Sequence, residues 1–168
     1  NSQLVQSMGS GVNMGDWVEL RNFITWTQQR YPADHYALVI WNHGAGWEPR
    51  RAKTDRPVIP RSVSIDDSIT GTNKAIDIWQ LRLALDVSPK VDMVIFDASL
   101  MQMAEVAYEI RDYSKVMVGS EESPPGEGYF YDGFLADLVA NPAMTSAQFG
   151  TSIVNRTIES YQNAFGDD

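Results

Sequence analysis

The chain contains no cysteine and only two histidines among its 168 residues. Without cysteine there is no disulfide framework and no thiol nucleophile, and the redox compartment cannot be inferred. Basic residues are also scarce, with 13 Lys and Arg against 22 Asp and Glu, which gives a net charge of −9. Because nucleic-acid-binding proteins rely on Lys and Arg to displace phosphate counterions, this balance argues against a nucleic-acid partner and favours a basic one.

Long apolar runs are missing as well. No stretch approaches the roughly 20 apolar residues that cross a bilayer, so the sequence predicts no membrane span, and the first residues lack a signal-peptide pattern. With 43% hydrophobic residues, residues 1–168 can bury a sizeable core and are predicted to form a single domain. We expect that domain to be a fragment of a longer precursor.

Strand and helix patterns alternate along the chain. Short apolar runs predict strands at Tyr36 to Trp41, Val91 to Phe96 and Lys115 to Gly119. Helices are predicted after the capping residue Asp16, at Lys74 to Asp86, Leu100 to Arg111, Asp132 to Ala140 and Thr145 to Ala164. The segment from Trp47 to Asp67 carries three prolines and is predicted to be an exposed basic loop with no regular element. The alternation indicates an α/β fold with a mostly parallel sheet between helices.

Two of the predicted strands end abruptly in small and reactive residues. His43 and Gly44 follow the first strand, and Asp97 and Ser99 follow the second. Ligands and chemistry collect in the crevice outside the carboxyl ends of parallel strands, so His43 and Ser99 are expected to share one edge of the sheet. Histidine often transfers protons, and the glycine after it permits close approach of another backbone. This edge is the candidate active site.

Three residues near this edge each have a structural alternative. Ser99 is predicted to open the helix Leu100 to Arg111, which suits a nucleophile or an oxyanion-binding amide, but the residue chemistry alone slightly favours an ordinary N-cap serine. A carboxylate at Asp97, ending an apolar strand, needs either a cationic partner or hydrogen bonds to the following helix end. Trp47 either walls a pocket or packs in the core. The residues alone leave these alternatives open.

Several short motifs occur in a fixed order along the chain. They are Asn13-Met-Gly-Asp16, Tyr31-Pro-Ala-Asp34, Trp41-Asn-His-Gly-Ala-Gly-Trp47, Asp66-Asp67, Asp97-Ala-Ser-Leu-Met101, Glu105-Val-Ala-Tyr108, Ser120-Glu-Glu122 and Pro125-Gly-Glu-Gly128. From about residue 13 to residue 135 this set resembles the clostripain family of caspase-like cysteine peptidases. The resemblance implies a caspase-like three-layer α/β/α sandwich and a secreted or cell-surface bacterial protein. It also implies cleavage of peptide or protein substrates after Arg or Lys.

The same resemblance implies roles for individual residues. His43 is the general base, Ser99 occupies the position of the catalytic cysteine, and the N–H groups of Gly44 and Ser99 are the oxyanion donors. Asp97 matches the acid of the first specificity pocket, where a carboxylate binds a basic side chain through charge-assisted hydrogen bonds. Trp47 stays a candidate for the pocket wall. The chemistry implied requires no cofactor and assigns no metal ligand.

Serine at position 99 departs from the family pattern. An alcohol is a far weaker acid than a thiol, so we expect peptidase architecture with little or no activity. Either the cysteine was replaced to trap an uncleaved form, or the chain is a natural pseudoenzyme. Family members also process themselves in a loop after the catalytic histidine, and the basic loop of this chain offers five candidate positions: Arg50, Arg51, Lys53, Arg56 and Arg61.

Other functions stay open from the sequence. A catalytically dead module that keeps the acidic pocket would bind basic peptides. An α/β enzyme that handles a metal or a phosphoryl group would use Asp66, Asp67 and Asp97, although the sequence has no phosphate-binding loop. Some relatives of the resembled family depend on Ca²⁺, and Glu121, Glu122 and Asp132 are the candidate ligands, although no defined calcium loop is present.

Overall fold

A central parallel sheet and five helices make up most of the computed structural model, which describes residues 3–47, 61–71 and 74–165. In chain order the elements are α1 (Trp17–Arg30), β1 (Ala37–Trp41), β2 (Ser62–Val63), β3 (Ile76–Asp77), α2 (Ile78–Leu85), β4 (Met93–Asp97), α3 (Ala104–Ile110), β5 (Val116–Val118), α4 (Tyr131–Ala140) and α5 (Ser146–Phe165). The sheet has the order β1-β4-β5 with all strands parallel, and β2 and β3 form a separate antiparallel ribbon.

Helices cover both faces of the central sheet. On one face, side chains of α1, α2 and α3 form a core with Leu38, Ile40, Val94 and Phe96. On the other face, α4 and α5 pack against Met93, Ile95 and Val118. Because side chains alternate along a strand, β4 supplies both cores and is buried at all five positions. The predicted α/β fold, with a parallel sheet between two helical layers, is confirmed.

The outer edge of β1 has no strand partner in the described part of the chain. Val39 and Trp41 lie on the face of the sheet against which α4 and α5 pack, and they are 39% and 70% exposed. A mostly apolar groove of about 290 Å³ runs beside this strand, with Leu20 and Phe23 of α1 in its lining. That further strands lie outside residues 1–168 stays a prediction. Among the described residues, no helix is long and apolar enough to span a membrane.

The predicted starts of most elements hold, but two segments between Trp47 and Asp86 differ from expectation. The predicted helix from Lys74 begins only at Ile78, because Ile76 and Asp77 pair with Ser62 and Val63 as a ribbon. A capping box between Asp77 and Gln80 then fixes the helix start. The expectation of no regular element before Asp67 is therefore wrong at β2.

An ion cluster joins α4 to α5. The Arg156 guanidinium donates from Nε and Nη2 to the two carboxylate oxygens of Asp137, at 2.8 Å each, and the Ser152 hydroxyl donates to the same carboxylate at 2.7 Å. Hydrogen bonds from Arg156 and Ser152 lower the pKa of Asp137 to about 2. The cluster holds together the two helices that form the outer wall of the second core.

We predict that Arg156→Met lowers the free energy of unfolding at pH 7. The pKa of Asp137 is about 2 in the folded chain and 3.8 ordinarily, so its contribution is complete above about pH 4 and is lost as the pH falls toward 2. The difference between parent and variant, measured by urea unfolding, should shrink over that range. Arg82→Met is the control, because its guanidinium only approaches Glu109 at 4.0 Å. A difference that stays constant down to pH 2 would contradict the prediction.

Candidate functional site

The ladder between β1 and β4 fixes the location of the candidate site. Its last register pair is Trp41 beside Asp97, and the N–H of Asn42 extends it by donating to the Asp97 carbonyl at 3.3 Å. His43 and Ser99 each follow two residues after this pair. The structure therefore brings both predicted residues to the same end of neighbouring strands, as parallel pairing requires.

A short stretch of backbone pairing holds the His43 segment in place. Its carbonyl accepts from the N–H of Ser64 at 3.2 Å, and the N–H of Ala45 donates to the Ser62 carbonyl at 2.9 Å. The side chain of Asn42 adds a second tie, since its Oδ1 accepts from the N–H groups of His43 and Ile65, at 2.6 and 3.0 Å. The backbone of His43 is thus fixed while its side chain stays exposed.

Ser99 does not open a helix, so this prediction is wrong. Residues 99 and 100 form a turn, Leu100 has a φ of 63°, and α3 begins only at Ala104. The backbone at 120–122 crosses this turn, and its carbonyls at Ser120 and Glu122 accept from Gln102 and Leu100. Those bonds replace the first helical turn. Ser99 therefore does not lie at the positive end of a helix dipole, since α3 begins five residues after it.

The loop after β1 lies directly against the turn after β4. A Cβ built on Gly44 would lie 2.5 Å from the carbonyl oxygen of Ser99, and one built on Gly46 would lie 2.4 Å from that of Leu100. Only glycine allows two backbones to approach this closely. In the described part of the chain, no hydrogen bond joins the His43 imidazole to the half-buried Ser99 hydroxyl.

Two backbone donors are unused where these loops meet. Neither the N–H of Gly44 nor that of Ser99 donates to an acceptor within the described ranges. Buried or crowded backbone N–H groups are nearly always paired, so two unpaired ones on contacting residues are uncommon. Such a pair can stabilise negative charge on an oxygen that arrives with a bound molecule.

Asp97 is a buried acid with neutral partners. It is 3% exposed, and its Oδ2 accepts from the N–H of Tyr129 at 3.0 Å and from the hydroxyl of Tyr131 at 2.9 Å. None of the ion pairs among the described residues includes it. The alternative in which Asp97 bonds to the start of the next helix does not occur, because its donors come from residues 129 and 131. A buried carboxylate without a cation is suited to receive one from a ligand.

Three tyrosines surround this carboxylate. Burial, followed by the negative charge of Asp97, raises the pKa of Tyr129 well above its ordinary value, and burial with the Asp97 hydrogen bond does the same for Tyr131. Both hydroxyls therefore stay protonated donors at neutral pH. The Tyr129 hydroxyl donates to the Phe96 carbonyl at 3.0 Å, and that of Tyr161 donates to the Gly128 carbonyl at 2.6 Å.

Trp47 lies on the side of the sheet that α1, α2 and α3 cover. Its side chain packs against that core, its backbone N–H donates to the Met103 sulfur at 3.2 Å, and the Arg61 guanidinium lies 4.6 Å from the centre of its ring. This arrangement matches the packing alternative, while a role as pocket wall stays a prediction. Of the five basic-loop residues, Arg50, Arg51, Lys53 and Arg56 lie outside the described residues.

The acidic residues considered for metal binding have other partners. Asp66 accepts from the N–H of Met14 at 2.9 Å and from Ser68, whose hydroxyl is the main cause of the lowered pKa of Asp66, and Asp67 pairs with Lys74 at 3.1 Å. Across the described ranges, no three His, Cys, Asp or Glu side chains are placed to share a metal ion. Calcium binding by Glu121, Glu122 and Asp132 stays a prediction.

Sequence reasoning missed Asn42, Tyr129 and Tyr131. Asn42 sits one residue before His43 and carries a signal in retrospect, because a strand that ends in asparagine can use its side chain to cap the turn. The two tyrosines lie more than 30 positions after Asp97 and look like ordinary core residues. Their contact with the carboxylate depends on the tertiary fold.

Comparisons with known proteins give consistent matches. Residues 2–168 match the Clostripain family, peptidase family C11. The chain is 35% identical over 128 residues to clostripain from Hathewaya histolytica. This alignment covers 71% of this chain and 24% of clostripain.

Two solved structures have a similar fold. A secreted C11 cysteine protease from Bacteroides thetaiotaomicron, in complex with an irreversible peptide inhibitor, has 28% identity and a TM-score of 0.66, over 89% of this chain and 38% of that one. An inactive zymogen C11 protease from Parabacteroides distasonis has 26% identity and a TM-score of 0.69, over 95% of this chain and 40% of that one. The chain thus spans about a quarter of clostripain, at 24%, and about two fifths of these structures, at 38% and 40%.

We predict that Gly44→Ala destabilises the protein by about 1–3 kcal/mol, the usual cost of forcing an added methyl into a packed site. The new Cβ would meet the Ser99 carbonyl at 2.5 Å, so one of the two loops must move. Urea unfolding measures the effect. Gly126→Ala is the matched control, since its Cβ would meet nothing within 4 Å. Equal stability of both variants would show that the loops do not touch as described.

Proposed function

Because this chain belongs to the clostripain family, we propose that it carries the catalytic centre of a cysteine-type endopeptidase that cleaves after Arg or Lys. The observation that supports this most directly is the pair of unused N–H groups on Gly44 and Ser99, at the contact between the His43 loop and the turn after β4. An acyl-transfer enzyme needs such donors where the oxyanion forms. The predicted roles of His43, Gly44 and Ser99 are retained in this proposal.

The chemistry follows from the residue types, with cysteine at position 99. His43 takes the thiol proton, and the thiolate attacks the carbonyl carbon of the scissile peptide bond. The N–H groups of Gly44 and Ser99 bind the resulting oxyanion. The imidazolium then gives its proton to the departing amine and leaves a thioester. His43 next deprotonates a water molecule, which hydrolyses the thioester and restores the thiol. These steps need no cofactor.

With serine at position 99 the first step becomes difficult. A free thiol has a pKa near 8.5, so a neighbouring imidazole can draw it into the thiolate, whereas an alcohol needs both a well-placed base and an orienting group. Within the described ranges, no carboxylate is hydrogen-bonded or ion-paired to His43. We therefore propose that the chain with Ser99 has little or no peptidase activity.

Asp97 supports the proposed basic specificity. It is a buried carboxylate on β4, two residues before Ser99, and within the described ranges it has no cationic partner. A substrate Arg or Lys side chain would supply the missing charge through charge-assisted hydrogen bonds. The net charge of −9 also attracts positively charged peptides toward the chain before they bind.

The cellular setting is also part of the proposal. One of the similar structures is that of a secreted bacterial protease. We propose that this chain is also bacterial, is part of a longer polypeptide, and acts outside the cell or on its surface. Peptides and proteins are its proposed substrates. A binding-only module with the same acidic pocket would explain Asp97, but it leaves the two free N–H groups without a purpose.

We predict that Ser99→Cys produces hydrolysis of reporter peptides that end in Arg or Lys, measured by release of a fluorescent amine. The added change His43→Ala should lower the rate by at least about 100-fold, in line with the loss of a general base. His35→Ala is the matched control, since this other histidine is exposed at the far end of β1. Binding without turnover in Ser99→Cys would instead support the binding module.

Asp97→Asn in the Ser99→Cys protein tests the specificity pocket separately. It keeps the size of the side chain but removes its charge, so cleavage after Arg and Lys should fall much more than cleavage after an uncharged residue such as Gln. An unchanged preference for basic residues would mean that another group recognises them.

We also predict that self-processing of the Ser99→Cys protein avoids Arg61. The Arg61 carbonyl accepts from the N–H of Ile78 at 2.8 Å, its guanidinium stacks on Trp47, and Ser62 after it is fully buried. That peptide bond cannot extend into a cleft without undoing the β2–β3 ribbon. Mass spectrometry should locate cuts after Arg50, Arg51, Lys53 or Arg56, and Arg61→Gln should leave them unchanged. A main cut after Arg61 would contradict this account.

A further inference from the structure

Asn42 lies where the central sheet stops pairing. Its own N–H makes the last contact with β4, at 3.3 Å from the Asp97 carbonyl, and the chain then enters the loop that carries His43. Beyond this point, within the described ranges, no strand accepts from the N–H of His43. That N–H donates instead to the side-chain oxygen Oδ1 of Asn42 at 2.6 Å. A side chain therefore orients the peptide between residues 42 and 43.

The same oxygen holds a second segment. Oδ1 of Asn42 also accepts from the N–H of Ile65 at 3.0 Å, a residue 23 positions later in the chain. A carboxamide oxygen has two acceptor sites, and both are used here. The carbonyl of His43 is tied to the same segment, since it accepts from the N–H of Ser64 at 3.2 Å. The two bonds to Oδ1, from His43 and from Ile65, are called the Asn42 clamp below.

The orientation of the 42–43 peptide matters to two parts of the proposed catalytic centre. The imidazole of His43 is exposed and has no hydrogen-bond partner within the described ranges, so its place depends on its backbone. Gly44 follows directly and carries one of the two unused N–H groups. A rotation of the peptide before His43 would therefore displace the base and this donor together.

We propose that Asn42 is a positioning residue for peptide hydrolysis, which holds the His43 imidazole and the Gly44 N–H in place against position 99. This inference rests on the proposed function, in which His43 is the base and Gly44 binds the oxyanion. Asn42 acts on both through the backbone, by accepting from two N–H groups. Displacing a catalytic group by about 1 Å lowers a rate about 100-fold, so a small rotation at this peptide has a large effect.

Asn42→Leu and Asn42→Asp in the Ser99→Cys protein test the inference. Leucine is close in size but accepts no hydrogen bond, so we expect kcat for basic reporter peptides to fall about 10- to 100-fold, with KM changed less than about threefold. Aspartate keeps the acceptor oxygen and should restore kcat to within about threefold at about pH 8, where the imidazole stays neutral. Asn155→Leu is the matched control, an exposed asparagine on α5 whose loss should leave kcat unchanged.

The kinetic outcomes separate this inference from the proposed function. Failure of Ser99→Cys to cleave any basic peptide rejects the proposed function and with it a positioning role in that reaction. Three results in an active Ser99→Cys protein reject the role of Asn42 alone: an unchanged kcat in Asn42→Leu, a rise in KM without a fall in kcat, or an aspartate variant as slow as the leucine variant.

Amide hydrogen exchange tests the Asn42 clamp without turnover, and in the parent chain it needs no variant. In the Ser99 protein the N–H groups of His43 and Ile65 should exchange at least about tenfold more slowly than in an unstructured chain, because each has an acceptor. Asn42→Leu should remove this protection at both residues and leave β4 protected. Exchange at the unstructured rate in the parent, or unchanged protection in the variant, overturns the clamp and the positioning role.

Discussion

The hydrogen-bonded register between β1 and β4 is the constraint on which the site depends. It sets Trp41 beside Asp97, and through them it sets the positions of the two loops that follow. A slip of one residue would turn Asp97 toward the core under α1 to α3 and would separate His43 from Ser99. Because β4 is buried at every residue and feeds both cores, such a slip would expose apolar groups on both sides of the sheet.

Backbone contacts, more than side chains, shape the rim of the site. Gly44 and Gly46 lie so close to the carbonyls of Ser99 and Leu100 that no side chain fits between the loops. The turn from Ser99 to Leu100 is held by the 120–122 segment, which fills the place of a helical turn. The free N–H groups at this rim are thus a product of packing three loops together. Asn42 contributes by tying the His43 segment to Ile65.

The sequence predicted the strands well because buried parallel strands are short apolar runs with sharp ends. Those ends also led to the prediction of His43 and Asp97 as site residues, which stays a prediction, and the ordered motifs predicted the family correctly. The prediction failed from Leu100 to Met103, where a helical spacing of apolar residues continues but Leu100 has a φ of 63° and the chain pairs with the 120–122 backbone before α3 begins at Ala104. It failed again at Ile76 and Asp77, whose partners in β2 follow the proline-rich segment of the sequence. Both errors come from tertiary pairing that overrides local spacing.

The open edge of β1 has a consequence for solution behaviour. Its sequence, Ala37 to Trp41, contains neither charge nor proline, and natural sheets usually guard such an edge with one or the other. Val39 and Trp41 stand exposed beside the unused backbone groups. An uncovered β1 is therefore an edge strand that can pair with a strand of another molecule. Whether a polypeptide containing this domain stays monodisperse depends on what covers that edge.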